Sequence, residues 1–254
     1  MKDLTFIVPI HTYLKDYIKR CLDSVKNFDL PILVVAPQQI VDSMNNDGFN
    51  TDSYSTINYL INDGDTDFCS QINLGANNCK TTYFCVLEFD DTITETWVKN
   101  VNDYVNSSVD ASVYLPFIEM HDANNNNIVS LSNELAWSTA FVNELGYIDI
   151  DCLNEYMDFQ IAGGVFNTND FVESGGLKKS LLVASVYELL LRLSYKSKKI
   201  FVIPKIGCMH TYGREGSSME EYRKTISQEH AEWLIKTAHQ EMFFVQDRNK
   251  VFNE

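Results

Sequence analysis

Positive charge is what this 254-residue sequence has least of: 20 Lys and Arg stand against 35 Asp and Glu, a formal net charge of −15 with histidine neutral. Such a field repels polyanions at long range, so an extended nucleic-acid-binding surface would need a local basic patch working against the average. Six cysteines are present, Cys21, Cys69, Cys79, Cys85, Cys152 and Cys208, but no CxxC pair and no zinc-module spacing. Scattered reduced thiols fit that pattern, and with them a reducing, cytoplasmic setting. No stretch approaches the roughly 20 apolar residues that cross a bilayer; even residues 181–193 are interrupted by Ser185, Glu188 and Arg192. Residues 1–10 lack the apolar core and small-residue cleavage site of a secretory signal. The expectation is a cytoplasmic protein with no integral membrane segment. An apolar fraction of 45%, with 12% aromatic, excludes a charged disordered chain.

Residues 4–10 form a short apolar run without strict alternation, as in a strand buried on both faces, and Pro9 ends it. Residues 13–25 then place Leu14, Tyr17, Ile18, Cys21, Leu22 and Val25 at helical spacing. Further strands are expected at 31–36, 57–61 and 82–87, the last two separated by the turn Asn62-Asp63-Gly64-Asp65 and a helix over about 66–78. This alternation predicts an α/β fold with a mostly parallel central sheet flanked by helices. Ligands of such sheets bind beyond the carboxyl ends of the strands.

Glu88-Phe89-Asp90-Asp91 stands at one such end. Three carboxylates in four residues supply hard oxygen ligands for Mg²⁺ or Mn²⁺. A solvated turn whose acids complement the next helix dipole reads equally well from these residues alone. Further on, 111–118 reads as a strand, the asparagine run at 124–127 as a polar turn before a short strand near Ile128, 181–194 as a helix, and 199–203 as a strand closed by Pro204. Residues 218–240 have helical periodicity and many charges, suiting a surface helix. Neither an internal repeat nor a linker is visible.

In order along the chain, these pieces resemble the family 2-type glycosyltransferases with the GT-A fold, a Rossmann-like nucleotide-diphospho-sugar transferase fold. Thr5-Phe6-Ile7-Val8-Pro9-Ile10-His11 looks like the family's opening strand, and Cys21-Leu22-Asp23-Ser24-Val25 like the end of its first helix. Asn73-Leu74-Gly75-Ala76 before Glu88-Phe89-Asp90-Asp91 is similar to its Asn-Leu-Gly and acidic blocks. Gly163-Gly164, Gly175-Gly176-Leu177, residues 187–193 and the strand ending at Cys208-Met209-His210 resemble its acceptor-side segments. The resemblance covers about residues 4–216. It implies a GT-A domain over 1–217, with a nucleotide-binding part at about 1–91 and an acceptor-side part at about 92–217, followed by a helical extension at 218–254.

The resemblance implies a metal-dependent, inverting transfer of a sugar from a nucleotide-diphosphate donor to a hydroxyl acceptor, a glycan or glycosylated molecule rather than nucleic acid. Asp90 matches the family's principal ligand for Mn²⁺ or Mg²⁺, with Glu88 and Asp91 as neighbouring acids and His210 as the late histidine of the metal site. Pro9, Ile10, His11, Tyr13 and Asn73 fall where the family contacts the nucleotide, and Arg214, in a glycine-flanked loop, suits a diphosphate. The family's usual Glu-Asp pair, which carries the catalytic base, is replaced here by Ser185-Val186. Glu188 is the nearest acid and a candidate base, or else a partner of Arg192 at i+4; Asp158 is the reserve. Two other readings stand beside this one. The first is a glycosyltransferase-like binding protein without turnover. The second is a nucleotidyltransferase, which would be expected to carry a glycine-rich loop where Pro9-Ile10-His11-Thr12-Tyr13 has none.

Overall fold

In the computed structural model, which describes residues 3–49, 52–107 and 109–251, alternate side chains of strand β1, Leu4–Pro9, enter two different apolar layers. Phe6 and Val8 pack with Ile18 and Leu22 of helix α1, Lys15–Val25, while Ile7 packs with Ile72 and Ala76 of α3, Phe68–Asn78. Burial on both faces is why the sequence of β1 shows a continuous apolar run instead of alternation. At Gly75 the helix comes so close that a Cβ would lie 2.6 Å from Ile7 Cγ2, so glycine sets the α3–β1 spacing.

The first half runs β1, α1, β2 (Ile32–Ala36), α2 (Gln38–Asn46), β3 (Ile57–Ile61), α3 and β4 (Tyr83–Val86). Then follow β5 (Thr92–Ile93), α4 (Trp97–Val105), β6 (Val113–Asp122), β7 (Ile128–Ser132), β8 (Tyr147–Ile148) and α5 (Ile150–Glu155). The chain continues through β9 (Val165–Asn167), α6 (Thr168–Ser174), α7 (Ser185–Tyr195), β10 (Ile200–Tyr212), α8 (Ser218–Thr225) and α9 (Gln228–Val251). The sheet order is β3-β2-β1-β4-β9-β6-β10-β5, with β7 beside β6 and β8 beside β10. Pairing is parallel through β3-β2-β1-β4 and again at β6–β10, and β9 is inserted antiparallel between the two blocks.

Several boundaries differ from the sequence expectation. Pro204 does not close the last strand: β10 runs on to Tyr212, with register shifts against β6 between Ile203 and Ile206 and between Ile206 and Cys208. A proline has no amide to give the ladder, and the irregularity absorbs that loss. The helix expected over 181–194 is a 3-10 segment, Lys179–Ala184, kinked at Leu182, followed by α7. The C-terminal periodicity is carried by two helices, broken at Ile226, whose backbone is extended. Leu234 and Ala238 of α9 are buried, and Tyr187 Oη lies 2.5 Å from His239 Nε2, docking α9 on α7. Residues 252–254 of the expected extension lie outside the described residues. Among the described residues, all six cysteines are free, and no helix is long and apolar enough to cross a membrane.

Candidate active site

Strand β4 ends at Val86, and the next five residues set two apolar anchors among three acids. Leu87 and Phe89 are buried in the core, and the Asp91 amide donates to the Glu88 carbonyl at 3.0 Å, a tight turn that brings the carboxylates together. The far end of β10 approaches the same place. His210 Nδ1 lies 2.9 Å from Asp91 Oδ2, and the Thr211 amide donates to Asp91 Oδ1 at 2.9 Å. Asp91 is fully buried, so both its oxygens are fixed by β10.

Glu88, Asp91 and His210 offer ligand atoms that all lie within 4.8 Å of one another. Two carboxylates and an imidazole at that spacing fit Mn²⁺ or Mg²⁺ in donor chemistry, the imidazole favouring the transition metal. Electrostatics point the same way. Burial, reinforced by the charge of Asp91, pushes the Glu88 carboxyl up to about 8. Burial opposes a charged His210, but the charge and hydrogen bond of Asp91 outweigh it and lift the ring to about 10. Both shifts favour protons on Glu88 and His210, which a divalent cation would displace.

Asp90 has a different partner. Its Oδ2 accepts from Arg214 Nε at 2.6 Å, with both residues buried. Its backbone carbonyl accepts from Arg20 Nη2 at 2.6 Å and from the Thr211 hydroxyl. The Arg214 guanidinium lies over Phe89, 5.0 Å from the ring centroid, and 5.8 Å from that of Tyr17. Burial and the neighbouring Asp91 raise the Asp90 carboxyl, and Arg214 restrains that rise.

Of the residues assigned to the nucleotide, Pro9 ends β1 and Ile10 follows it, buried. The His11 ring meets the edge of Phe89 at 5.2 Å, and burial, then the charge of Arg214, lower its basicity. His11 thereby borders the acid turn. Two others are committed elsewhere: Tyr13 donates its hydroxyl to Asp47, and Asn73 binds the Leu177 backbone twice, Nδ2 to the carbonyl at 2.7 Å and Oδ1 from the amide at 2.8 Å.

The two candidate bases differ sharply. Glu188 is fully buried, accepting from Arg192 Nε (2.8 Å) and Nη2 (2.7 Å), with Lys178 Nζ at 2.9 Å. Burial works against its charge, but these cations prevail and hold the carboxyl below its ordinary value. The i+4 pairing with Arg192 is realised. Asp158 lies exposed in the loop after α5, and its backbone carbonyl accepts from Gln160 Nε2.

The sequence places Tyr17 and Arg20 on the first helix without assigning either to the site. On α1, Tyr17 and Arg20 are one turn apart and stack at 5.1 Å, and in so acidic a chain an arginine beside the expected site was the available signal. Arg20 and Thr211 also line a groove of about 980 Å³ together with Ser24, Phe28, Glu95 and His121. Glu88, Asp91 and His210 do not line it.

No protein-family model and no curated protein matches this chain. Its fold does match solved structures. The S. aureus TarS fragment 1–349 in complex with UDP-GlcNAc superposes with a TM-score of 0.60 at 15% identity, over 87% of this chain and 61% of that one. GalNAc-T7 with UDP, GalNAc and Mn²⁺ gives 0.60 at 12% identity, over 85% of this chain and 45% of that one. The architecture is therefore the GT-A fold of glycosyltransferases. The chain spans about three fifths of the TarS fragment and under half of the GalNAc-T7 chain.

Proposed function

We propose that this protein transfers a sugar from a nucleotide-diphosphate donor to a hydroxyl acceptor, with Mn²⁺ or Mg²⁺ held by Glu88, Asp91 and His210 and completed by Asp90. The observation that carries this reading is the convergence of two acids and an imidazole within 4.8 Å at the carboxyl end of a GT-A sheet. Bound there, the cation would supply Lewis-acid neutralisation of the leaving diphosphate. The TarS and GalNAc-T7 structures, with UDP-GlcNAc in one and UDP and Mn²⁺ in the other, support a uridine nucleotide as first choice of donor.

The chain's own residues then divide the work. Pro9, Ile10 and His11 would receive the nucleoside, and Phe89 supports both His11 and Arg214. Asp91 orients His210 and fixes the end of β10. Inversion requires a carboxylate to take the acceptor proton. Glu188, engaged by Arg192 and Lys178, serves as an anchor of the acceptor-side helix, which leaves Asp158, exposed in the loop after α5, as the acid assigned to that proton. A binding protein without turnover is the second reading, favoured by Ser185-Val186 at the usual base position. Incubation with UDP-sugars, Mn²⁺ and a panel of hydroxyl acceptors separates the two: release of UDP supports transfer, whereas donor binding without release supports the second.

A further inference from the structure

The asparagine run that follows β6 borders a cavity. Asn126 lines the groove of about 980 Å³, and with Asn124 and Asn125 it lines a smaller recess of about 360 Å³ that shares Arg20, His121 and Thr211 with the groove. The two make one cleft along α1, with Tyr17 at one end and the half-buried Phe28, just past the helix, at the other. From residue 17 to residue 28 the helical rise is about 16 Å, room for several linked rings rather than one.

This cleft is separate from the acid turn. Met209 and Thr211 line it, whereas His210 between them converges with Glu88 and Asp91, so the alternation of β10 puts the two sites on opposite faces of one strand. Its walls are preformed. Asp122 Oδ1 accepts from the amides of Asn124 at 2.8 Å and Asn125 at 3.2 Å, which fixes the asparagine turn. Arg20 Nη2 is held by the Asp90 carbonyl at 2.6 Å and the Thr211 hydroxyl at 2.7 Å, and the guanidinium has further N–H groups to give. Among the described residues, none hydrogen-bonds the side chains of Asn27, Glu95 or Asn126, which are exposed on the cleft wall.

The groups of the cleft define its ligand. Carboxamides, carboxylates and a guanidinium surround an apolar floor of Phe28, Ile93 and Met209. A pyranose has the matching form, with hydroxyls that donate and accept around its edge and C–H groups on its faces. Asp23, Glu95 and Asp122 outnumber Arg20 on the walls and disfavour an anion. From this match, and resting on the function proposed above for the kind of molecule handled, we propose that the cleft is an oligosaccharide-binding site distinct from the acid turn. It holds a neutral glycan by sugars other than the one that reacts. Asn27, Glu95, Asn126 and Arg20 bind its hydroxyls, and Phe28 takes the face of a sugar ring. A glycan tethered there presents its reacting end at a raised local concentration.

An array of immobilised neutral oligosaccharides built from hexoses and N-acetylhexosamines, probed with and without UDP, tests the cleft. The proteins compared are the native chain, His210→Gln, and a triple variant carrying Asn27→Ala, Glu95→Ala and Asn126→Gly. All three cleft positions are exposed, and glycine at 126 accepts the φ of 57° found there, so the triple variant keeps the fold. Native protein should bind a set of these glycans whether or not UDP is present, and His210→Gln should bind them equally well. The triple variant should bind at least about tenfold more weakly, having lost several hydrogen bonds. Full binding by the triple variant, binding lost in His210→Gln, or displacement by UDP would put the glycan elsewhere and overturn the assignment. So would a native protein that binds none of the glycans. The underlying function fails separately: UDP release with acceptors but no glycan held at the cleft removes only the cleft, whereas glycan held there without any UDP release removes the transfer reaction.

Discussion

Asp91 meets His210 at 2.9 Å and takes the next amide of the same strand on its other oxygen, so one buried carboxylate joins the acid turn after β4 to the end of β10. This pairing makes stability depend on pH in the cation-free protein. His210, lifted to about 10 from an ordinary 6.5, stabilises the fold fully below about pH 6.5, and that contribution is lost as pH rises toward 10. Glu88, raised to about 8 from 4.5, acts in the same direction over its own lower window. Melting temperatures in the presence of a chelator should fall between pH 6.5 and 10, and His210→Gln should flatten the fall. Parallel curves for the two proteins would remove His210 from this role.

Glu188 and Arg192 give a second expectation. Arg192 also donates to the carbonyls of Ser174 and Gly176, so the pair links α7 to the end of α6. Glu188→Ala leaves that arginine buried without its counter-charge and should cost about 3–5 kcal/mol of stability. Glu188→Gln should cost less and retain turnover per folded molecule. A Glu188→Gln protein of unchanged stability and abolished turnover would restore this acid as the base.

Asp158 carries the converse expectation. Being exposed, Asp158→Asn should shift stability by no more than about 0.5 kcal/mol. If it takes the acceptor proton, the substitution should lower kcat by about 10²–10⁴-fold while donor binding is unchanged. Full turnover in the variant would assign the proton to another group or leave the reaction without a protein base.

Much of the N-terminal half was legible in the sequence because parallel strands buried on both faces write themselves as uninterrupted apolar runs, as in β1 and β2. The acid turn was legible for a related reason: Glu88, Asp90 and Asp91 follow such a run directly. Helix α2 was missed where its stretch carries only Ile40, Val41 and Met44 as buried positions. Strand β9, three residues long and antiparallel between parallel blocks, has too short a period to read. Pro204 signals a stop, and only the pairing with β6 shows that the strand passes through it. Within the site, the i+4 relation of Glu188 and Arg192 is visible in the sequence, but Lys178 reaches Glu188 from a separate loop. The pairing of Asp90 with Arg214 spans 124 residues, and no local pattern encodes it.

The most direct measurement is UDP release from UDP-sugars, acceptors supplied, as Mn²⁺ is added and then withdrawn by chelation, in native protein and in Glu88→Gln. The native protein should turn over only with the cation present, lose activity on chelation and regain it on replenishment, and Glu88→Gln should lose at least about tenfold in cation affinity. Turnover indifferent to chelation, or native cation affinity in Glu88→Gln, would contradict a cation centre built on Glu88, Asp91 and His210.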